Sequence, residues 1–167
     1  VLVFLGNYFG WSQAGSSIEP KAWTLPIHGV SFSPYRANQD PRAGQYPSPE
    51  EINEDLALLA GPVGSVRTYG STEGLQVVAD LASAHGLQVT AGANLDSRRE
   101  QNAAEIDSLI NIAGRNRNVT RLLVGNEVLL RGDLKPDELI AYIREVRSRT
   151  EKPVSTAEPW HVWLAHP

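Results

Sequence analysis

From residue 27 onward, short apolar runs alternate with longer segments in which apolar residues recur every three or four positions. Each short run has the length of a buried β-strand, and each longer segment has the single apolar face of an amphipathic helix. The pattern predicts five strands, over residues 27–33, 63–70, 87–93, 119–128 and 153–158. It also predicts four intervening helices, over residues 49–60, 73–85, 98–116 and 136–149.

The first of these helices has a clear start and stop. Ser48 is a capping residue, Pro49 suits the first helical position, and Glu51 stands where it completes a capping box with Ser48. Gly61 and the proline after it end the helix.

Regular alternation of strands and helices predicts an α/β fold with right-handed crossovers and a parallel sheet. Two architectures fit this order, a doubly wound sheet and a (β/α)8 TIM barrel. A dinucleotide-binding doubly wound sheet carries a glycine-rich loop after its first strand, but Ser33-Pro34-Tyr35 occupies that position. The missing loop also disfavours a phosphate-binding domain. A complete barrel needs about 250 residues, so the barrel interpretation takes this chain as an N-terminal portion with three further units beyond it.

The first 26 residues form a separate segment in this interpretation. Residues 1–5 are apolar, and Tyr8, Phe9 and Trp11 follow them. The run is too short to span a bilayer, which takes about 20 residues. It fits either the end of a membrane helix or signal sequence, or a short buried strand. Residues 12–26 are small, polar and proline-bearing, which predicts a linker into the barrel portion, residues 27–167.

Composition narrows the possible functions. The 167 residues carry a net charge of −4, so the chain lacks the basic character that binding to nucleic acid requires. There is no cysteine, which excludes disulfides, thiol catalysis and cysteine-ligated zinc. There is also no methionine, even at position 1, which predicts that the sequence is incomplete at its start.

Candidate chemistry lies at the carboxyl ends of the predicted strands, where both architectures place their functional sites. These ends are rich in carboxylates, amides and aromatic rings, a set that suits carbohydrate because rings stack on sugar faces and polar groups pair with hydroxyls. The residues are Ser33, Tyr35, Arg67, Tyr69, Asn94, Asp96, Asn126, Glu127, Glu158, Trp160 and His161.

Glu127 is the sharpest candidate among them. It follows the apolar run Leu122-Leu123-Val124 and stands next to Asn126. A carboxyl group at the end of a buried strand suits general acid–base catalysis. From the residues alone, a structural carboxylate that pairs with a neighbouring arginine or caps a loop is the alternative explanation.

Four motifs in order, GVSFSPY, VRTYG, VGNEV and STAEPWHVW, resemble glycoside hydrolase family 17, the β-1,3-glucanases and glucanosyltransferases. The resemblance covers residues 27–167 and is strongest to the bacterial members that are often joined to membrane β-glucan synthases. It implies a (β/α)8 barrel of which this chain supplies the first five strands, and a retaining hydrolase or transglycosylase acting on β-1,3-glucan.

The resemblance also implies residue roles. Glu127 is expected to be the general acid/base, and Asn126 to bind the sugar 2-hydroxyl at the cleavage point. Further substrate-binding residues are expected to be Tyr35, Tyr69, Glu158 and Trp160. No metal and no organic cofactor is implied, and the expected partner is a β-glucan oligosaccharide or polysaccharide. The expected location is periplasmic or extracellular, with a membrane tether at the N-terminus or a fused glycosyltransferase domain as further candidates.

One feature departs from the family pattern. A retaining glycosidase needs two carboxylates about 5–5.5 Å apart, and in this family the nucleophile is a glutamate on the seventh strand. Glu158 lies on the strand next to Glu127, but the family places that position elsewhere in the site. The nucleophile is therefore expected beyond residue 167, and the chain by itself is expected to be inactive. The alternative is a non-catalytic carbohydrate-binding partial barrel within a larger glucan synthase.

Overall fold

The computed structural model describes residues 2–14 and 26–166. The apolar N-terminal stretch is helical, as helix α1, Leu2–Ala14, so the expectation of a short strand there is wrong. Most of the predicted linker, residues 15–25, lies outside the described residues. Across the two described ranges, no helix is both long and apolar enough to cross a membrane.

The body of the chain contains one five-stranded parallel sheet. Its strands are β1 Val30–Ser31, β2 Ser65–Arg67, β3 Gln88–Ala93, β4 Val119–Asn126 and β5 Val154–Ala157. They lie side by side in chain order, β1-β2-β3-β4-β5. In a doubly wound sheet, the order of the strands reverses at a switch point. In a (β/α)8 barrel, each strand lies beside the next one along the chain. The strand order therefore confirms the barrel-type fold and decides between the two architectures.

Four helices connect the strands as predicted, and a short one follows β5. They are α2 Pro49–Leu59, α3 Val78–Ala84, α4 Arg99–Arg115, α5 Pro136–Ser148 and α6 Trp160–Ala165. The capping box of α2 is present. The Ser48 hydroxyl accepts a hydrogen bond from the Glu51 N–H at 3.2 Å, and the Glu51 carboxylate accepts one from the Ser48 N–H at 2.9 Å.

The core lies between the sheet and the layer of helices. Ile52 of α2 and Leu109 of α4 are completely buried against strand residues such as Val89 and Leu122. Strands β3 and β4 share the longest register, which includes Ala91 opposite Leu122. The helices pack against the sheet and hold its strands parallel. The carboxyl ends of all five strands therefore lie at one edge of the sheet.

Two predicted element boundaries are wrong for the same reason. Strand β4 ends at Asn126 because Glu127 adopts a left-handed backbone with φ 55°. The predicted helix over residues 73–85 starts later, as a 3-10 turn at Leu75, because Glu73 has φ 55° and Gly74 has φ 90°. Neither backbone fits a strand or a right-handed helix.

Candidate active site

The carboxyl ends of the parallel strands surround a cavity of about 220 Å³. Four of the predicted candidate residues, Tyr35, Tyr69, Asn94 and Asn126, lie in its wall. Its other lining residues are Pro41, Gly70, Thr72, Glu73, Leu75 and Glu105. The ends of strands β2, β3 and β4 and the loop after β1 therefore bring these four residues to one cavity.

Asn126 is held by an arginine from another strand. Arg67 Nη2 donates a hydrogen bond of 2.6 Å to Asn126 Oδ1. Since a guanidinium can only donate, the amide oxygen must face Arg67, which leaves the Asn126 NH₂ group as the free donor. The same guanidinium carbon lies 4.8 Å from the centre of the Tyr69 ring. Arg67 therefore links two of the predicted substrate-binding residues.

Arg67 Nε is buried and has no hydrogen-bond partner within the described part of the chain. A buried donor without a partner carries a desolvation penalty. Within the described residues, the guanidinium is therefore not held by a complete set of protein acceptors.

Glu127 stands immediately beyond Asn126 with an exposed side chain. Its backbone is fixed on both sides, because its N–H donates to Ala157 O at 2.7 Å and its carbonyl accepts from Arg131 N at 2.9 Å. Over residues 2–14 and 26–166, the carboxylate makes neither a hydrogen bond nor an ion pair. The pairing and loop-capping roles that sequence left open are thus not seen for Glu127 in this part of the chain.

Glu158 and Trp160 lie apart from the cavity that Asn126 lines. The Glu158 carboxylate accepts hydrogen bonds from the backbone N–H groups of Leu129 at 2.9 Å and Leu130 at 3.3 Å. Glu158 lines a separate, largely apolar groove of about 300 Å³ between α5, β5 and α6. Trp160 is 74% exposed and makes an edge contact with His161. Their predicted role in substrate binding stays a prediction.

Glu105 is a site residue that the sequence analysis missed. It is buried on α4, and its carboxylate accepts hydrogen bonds from the backbone N–H groups of Ser71 at 2.8 Å, Thr72 at 3.1 Å and Asn94 at 2.8 Å. The Thr72 hydroxyl donates a further hydrogen bond. One buried carboxylate therefore ties together the loops that follow β2 and β3.

A signal for Glu105 was present in the sequence. Asn102, Glu105, Leu109 and Ile112 follow the helical period on the inward face of α4, and all four are buried. Asn102 acts in the same way as Glu105, because it exchanges two hydrogen bonds with the backbone of Asp96. Polar residues on an apolar stripe must find partners, so their place in the stripe could have pointed to the neighbouring strand ends.

The Tyr35 hydroxyl group lies near negatively charged side chains. Partial burial raises the pKa of Tyr35, and the charges of Glu73, Tyr46 and Glu105 raise it further. Tyr35 therefore keeps its proton at neutral pH and can both donate and accept a hydrogen bond. Within the described ranges, no group of three or more metal-ligating side chains is arranged to hold a metal ion.

The consecutive strand order defines the class of fold, the N-terminal part of a (β/α)8-type barrel. Residues 29–167 match the family model of the BtgE/BtgC glycoside hydrolase domain, and the chain belongs to this family. The assignment agrees with the resemblance to glycoside hydrolase family 17. Membership in the bacterial branch of that family stays a prediction.

Curated relatives come from fungi. A probable glucan endo-1,3-beta-glucosidase btgC of Aspergillus clavatus is 29% identical over 154 residues, which cover 82% of this chain and 22% of the relative. Probable btgC proteins from two Aspergillus fumigatus strains are each 28% identical over 154 residues, with the same coverage. The chain thus spans about a fifth of the length of these relatives. No solved structure matches it.

Proposed function

We propose that the protein is a retaining glycoside hydrolase or transglycosylase that acts on β-1,3-glucan, with Glu127 as the general acid/base. The observation that carries the proposal is an exposed Glu127 carboxylate, unengaged in the described part of the chain and adjacent to an Asn126 amide that Arg67 holds. The names of the fungal relatives, which are probable glucan endo-1,3-beta-glucosidases, support the choice of substrate.

In this mechanism Glu127 first acts as an acid and then as a base. It gives its proton to the glycosidic oxygen as the leaving group departs, and a second carboxylate attacks the anomeric carbon. Glu127 then removes a proton from the incoming water or sugar hydroxyl, which releases the glycosyl group from the enzyme. Water as acceptor gives hydrolysis, and a sugar hydroxyl gives transfer.

The neighbouring residues have supporting roles in the proposal. The Asn126 NH₂ group donates to the 2-hydroxyl of the sugar at the cleavage point, and Tyr35 and Tyr69 bind the sugar within the cavity. Glu158 and Trp160 are proposed as more distant substrate contacts at the same edge of the sheet. The nucleophile is proposed to be a carboxylate outside the 167 residues.

The test is Glu127→Gln in the protein as its gene encodes it, assayed on laminari-oligosaccharides. Loss of general acid–base catalysis reduces turnover by about 10²–10⁴-fold. An aryl β-glucoside whose leaving group needs no protonation should be cleaved at its first step nearly as fast as before. Glu151→Gln is the matched control, because Glu151 is exposed and precedes β5 at the opposite end of the strands. Unchanged turnover by Glu127→Gln contradicts the assignment.

A non-catalytic carbohydrate-binding protein is the second candidate. It is favoured by the engagement of two carboxylates near the strand ends, Glu105 on α4 and Glu158 after β5, with backbone N–H groups. This candidate predicts oligosaccharide binding without turnover. Product analysis on a labelled β-1,3-glucan separates the possibilities: shorter products indicate hydrolysis, longer products indicate transfer, and unchanged substrate indicates binding alone.

A periplasmic or extracellular location belongs to the same proposal and rests on the family resemblance. The N-terminal residues 1–26 are proposed as a membrane tether, and a fused glycosyltransferase domain as a further partner. Fractionation of cells that express the protein with and without residues 1–26 tests the tether, which predicts release from the membrane fraction when they are removed.

A further inference from the structure

The loop after β2 holds a second glutamate in an unfavourable backbone conformation. Within residues 2–14 and 26–166, only Glu73 and Glu127 are non-glycine residues with positive φ, each at 55°. An L-residue with a side chain disfavours this region, and surrounding structure must enforce it. Both residues follow a strand and stand at the edge of the sheet where the strand ends gather.

The chain is fastened on both sides of Glu73. Before it, the N–H of Thr72 donates to the buried Glu105 carboxylate at 3.1 Å. After it, Leu75 N donates to Thr72 O at 2.9 Å, and Gly74 N donates to the Gln76 side chain at 2.9 Å. Gly74 also packs against the loop before α2, since a Cβ there would lie 3.2 Å from Pro47 O. The side chain of Glu73 therefore projects from a fixed turn.

The Glu73 side chain is exposed and lines the same cavity as Asn126 and Tyr35. In the described part of the chain its carboxylate has no ion-pair partner. Two phenols and the Arg98 guanidinium sense its charge. Burial is the main cause that raises the pKa of Tyr35, and the charge of Glu73 is the next. Burial is also the main cause that raises the pKa of Tyr46, and Glu73 raises it further. A hydrogen bond to a nearby aspartate is the main cause that raises the pKa of Arg98, which does not line the cavity, and the charge of Glu73 raises it further. The carboxylate thus faces two protonated hydroxyl groups, and none of the residues that line the cavity is a cation.

We infer that Glu73 is a specificity-determining residue that binds a neutral sugar unit by accepting hydrogen bonds from two adjacent hydroxyl groups, while the Tyr35 ring contacts the sugar beside it. A carboxylate is an acceptor with two oxygens and suits such a pair of donors. The inference rests on the proposed function, since it places a sugar in the cavity that Asn126 shares. The negative charge of the Glu73 carboxylate would also disfavour the binding of anionic glycans.

The experiment measures binding without turnover. The gene-encoded protein carrying Glu127→Gln is titrated with laminaritetraose, alone and combined with Glu73→Gln. A charge-assisted pair of hydrogen bonds is worth about a tenfold change in Kd or more, so Glu73→Gln should weaken binding by about that factor. Glu151→Gln is the control and should leave Kd unchanged. Glu73→Asn is a second variant, since asparagine tolerates left-handed backbone.

A charged ligand separates recognition from a general effect on the fold. The same oligosaccharide oxidised at C6 to a glucuronate should bind the Glu127→Gln parent more weakly than the neutral form does. Glu73→Gln should reduce that difference, and Glu73→Lys should reverse it. A loop disturbed by mutation would weaken binding of both ligands alike and leave the difference unchanged, which overturns the inference.

The outcomes distinguish this inference from the proposed function. If the parent binds laminaritetraose and Glu73→Gln binds it equally well, the Glu73 role is wrong and the proposed function stands. If the parent binds no β-1,3-linked oligosaccharide, the proposed substrate is wrong. In that case, a matching loss of affinity for a β-1,4-linked oligosaccharide in Glu73→Gln still supports a sugar-binding Glu73, and equal affinity overturns it.

Discussion

Arg67 Nη2 on β2 lies 2.6 Å from Asn126 Oδ1 at the end of β4, across the intervening strand β3. The hydrogen bond fixes which end of the amide faces the cavity, because an arginine can only donate and therefore must face the amide oxygen. The orientation of the proposed 2-hydroxyl donor therefore depends on a residue two strands away, and the Tyr69 ring at 4.8 Å packs against the same guanidinium.

Arg67→Lys should lower kcat/KM on laminari-oligosaccharides by about tenfold, because an ammonium cannot reproduce the guanidinium's planar fork. A double-mutant cycle with Asn126→Ala provides the control. If Arg67 acts through Asn126, its substitution should have a much smaller effect once the amide is gone. Fully additive losses would show that Arg67 acts independently.

Glu105→Gln should destabilise the fold by about 1–3 kcal/mol. The introduced NH₂ group would face the N–H donors of Ser71, Thr72 or Asn94 in a buried site where only an acceptor fits. Denaturation in urea measures the loss. Glu100→Gln, at an exposed position on the same helix, should change stability by less than about 0.5 kcal/mol, and an equal effect of the two variants would refute the assignment.

Alanine substitutions at two glycines, Gly92 and Gly114, should change the free energy of unfolding in opposite directions. A Cβ on Gly92 in β3 would overlap the carbonyl oxygen of Thr68, which directly follows β2, so Gly92→Ala should cost about 1–3 kcal/mol. Gly114, near the end of α4, has open space around it, and Gly114→Ala should stabilise by about 0.5–1 kcal/mol. Thermal unfolding of both variants beside the parent checks the sign and size.

Glu51 should make the stability of the fold depend on pH. Its pKa is held below the ordinary value by the hydrogen bond from the Ser48 N–H and then by that from Gln39. A carboxylate with a lowered folded pKa contributes fully above the unfolded pKa of about 4.3 and loses that contribution as pH falls through the folded value. Glu51→Gln should therefore lower Tm near pH 7, and the difference between the two Tm curves should shrink as the pH falls below the unfolded pKa of about 4.3. Glu50→Gln controls for the charge of the first helical turn.

Substitutions of Glu158 and Glu127 should have clearly different effects on stability. Glu158→Gln loses an acceptor of the Leu129 and Leu130 N–H groups and should destabilise by about 1–2 kcal/mol. Glu127→Gln removes no contact of the described chain and should leave stability within about 0.5 kcal/mol. Urea denaturation of both variants tests this, and a larger loss for Glu127→Gln would indicate a structural role for Glu127.

From residue 27 onward, the hydrophobic pattern was sufficient for the order of strands and their connecting helices, because each of these elements buries a face with its own period. It also placed the cap of α2, where Ser48 and Glu51 interact locally. It failed at Glu73 and Glu127, whose left-handed backbones interrupt the patterns that predicted a helix start and a strand end. Those conformations are imposed by contacts between distant residues, which periodicity does not encode.

The candidate site was predictable only in part. Asn126, Tyr69 and Tyr35 do share a cavity, because parallel strands bring their carboxyl ends together. Glu158 was expected on the same grounds, but its length lets it reach the backbone of the loop after β4 instead. Distinguishing a carboxylate that faces the cavity from one that binds backbone N–H groups requires side-chain directions.

The left-handed backbone of Glu127 and Glu73 sets stability against function when variants are selected. Glycine accepts φ 55° without steric penalty, so glycine at either position should relieve strain and survive a screen for thermal resistance. The same change removes the carboxylate that each position is proposed to offer to a sugar. A library ranked by heat tolerance alone would therefore enrich inactive proteins at these two sites, and a useful screen must score glucan turnover at the same time.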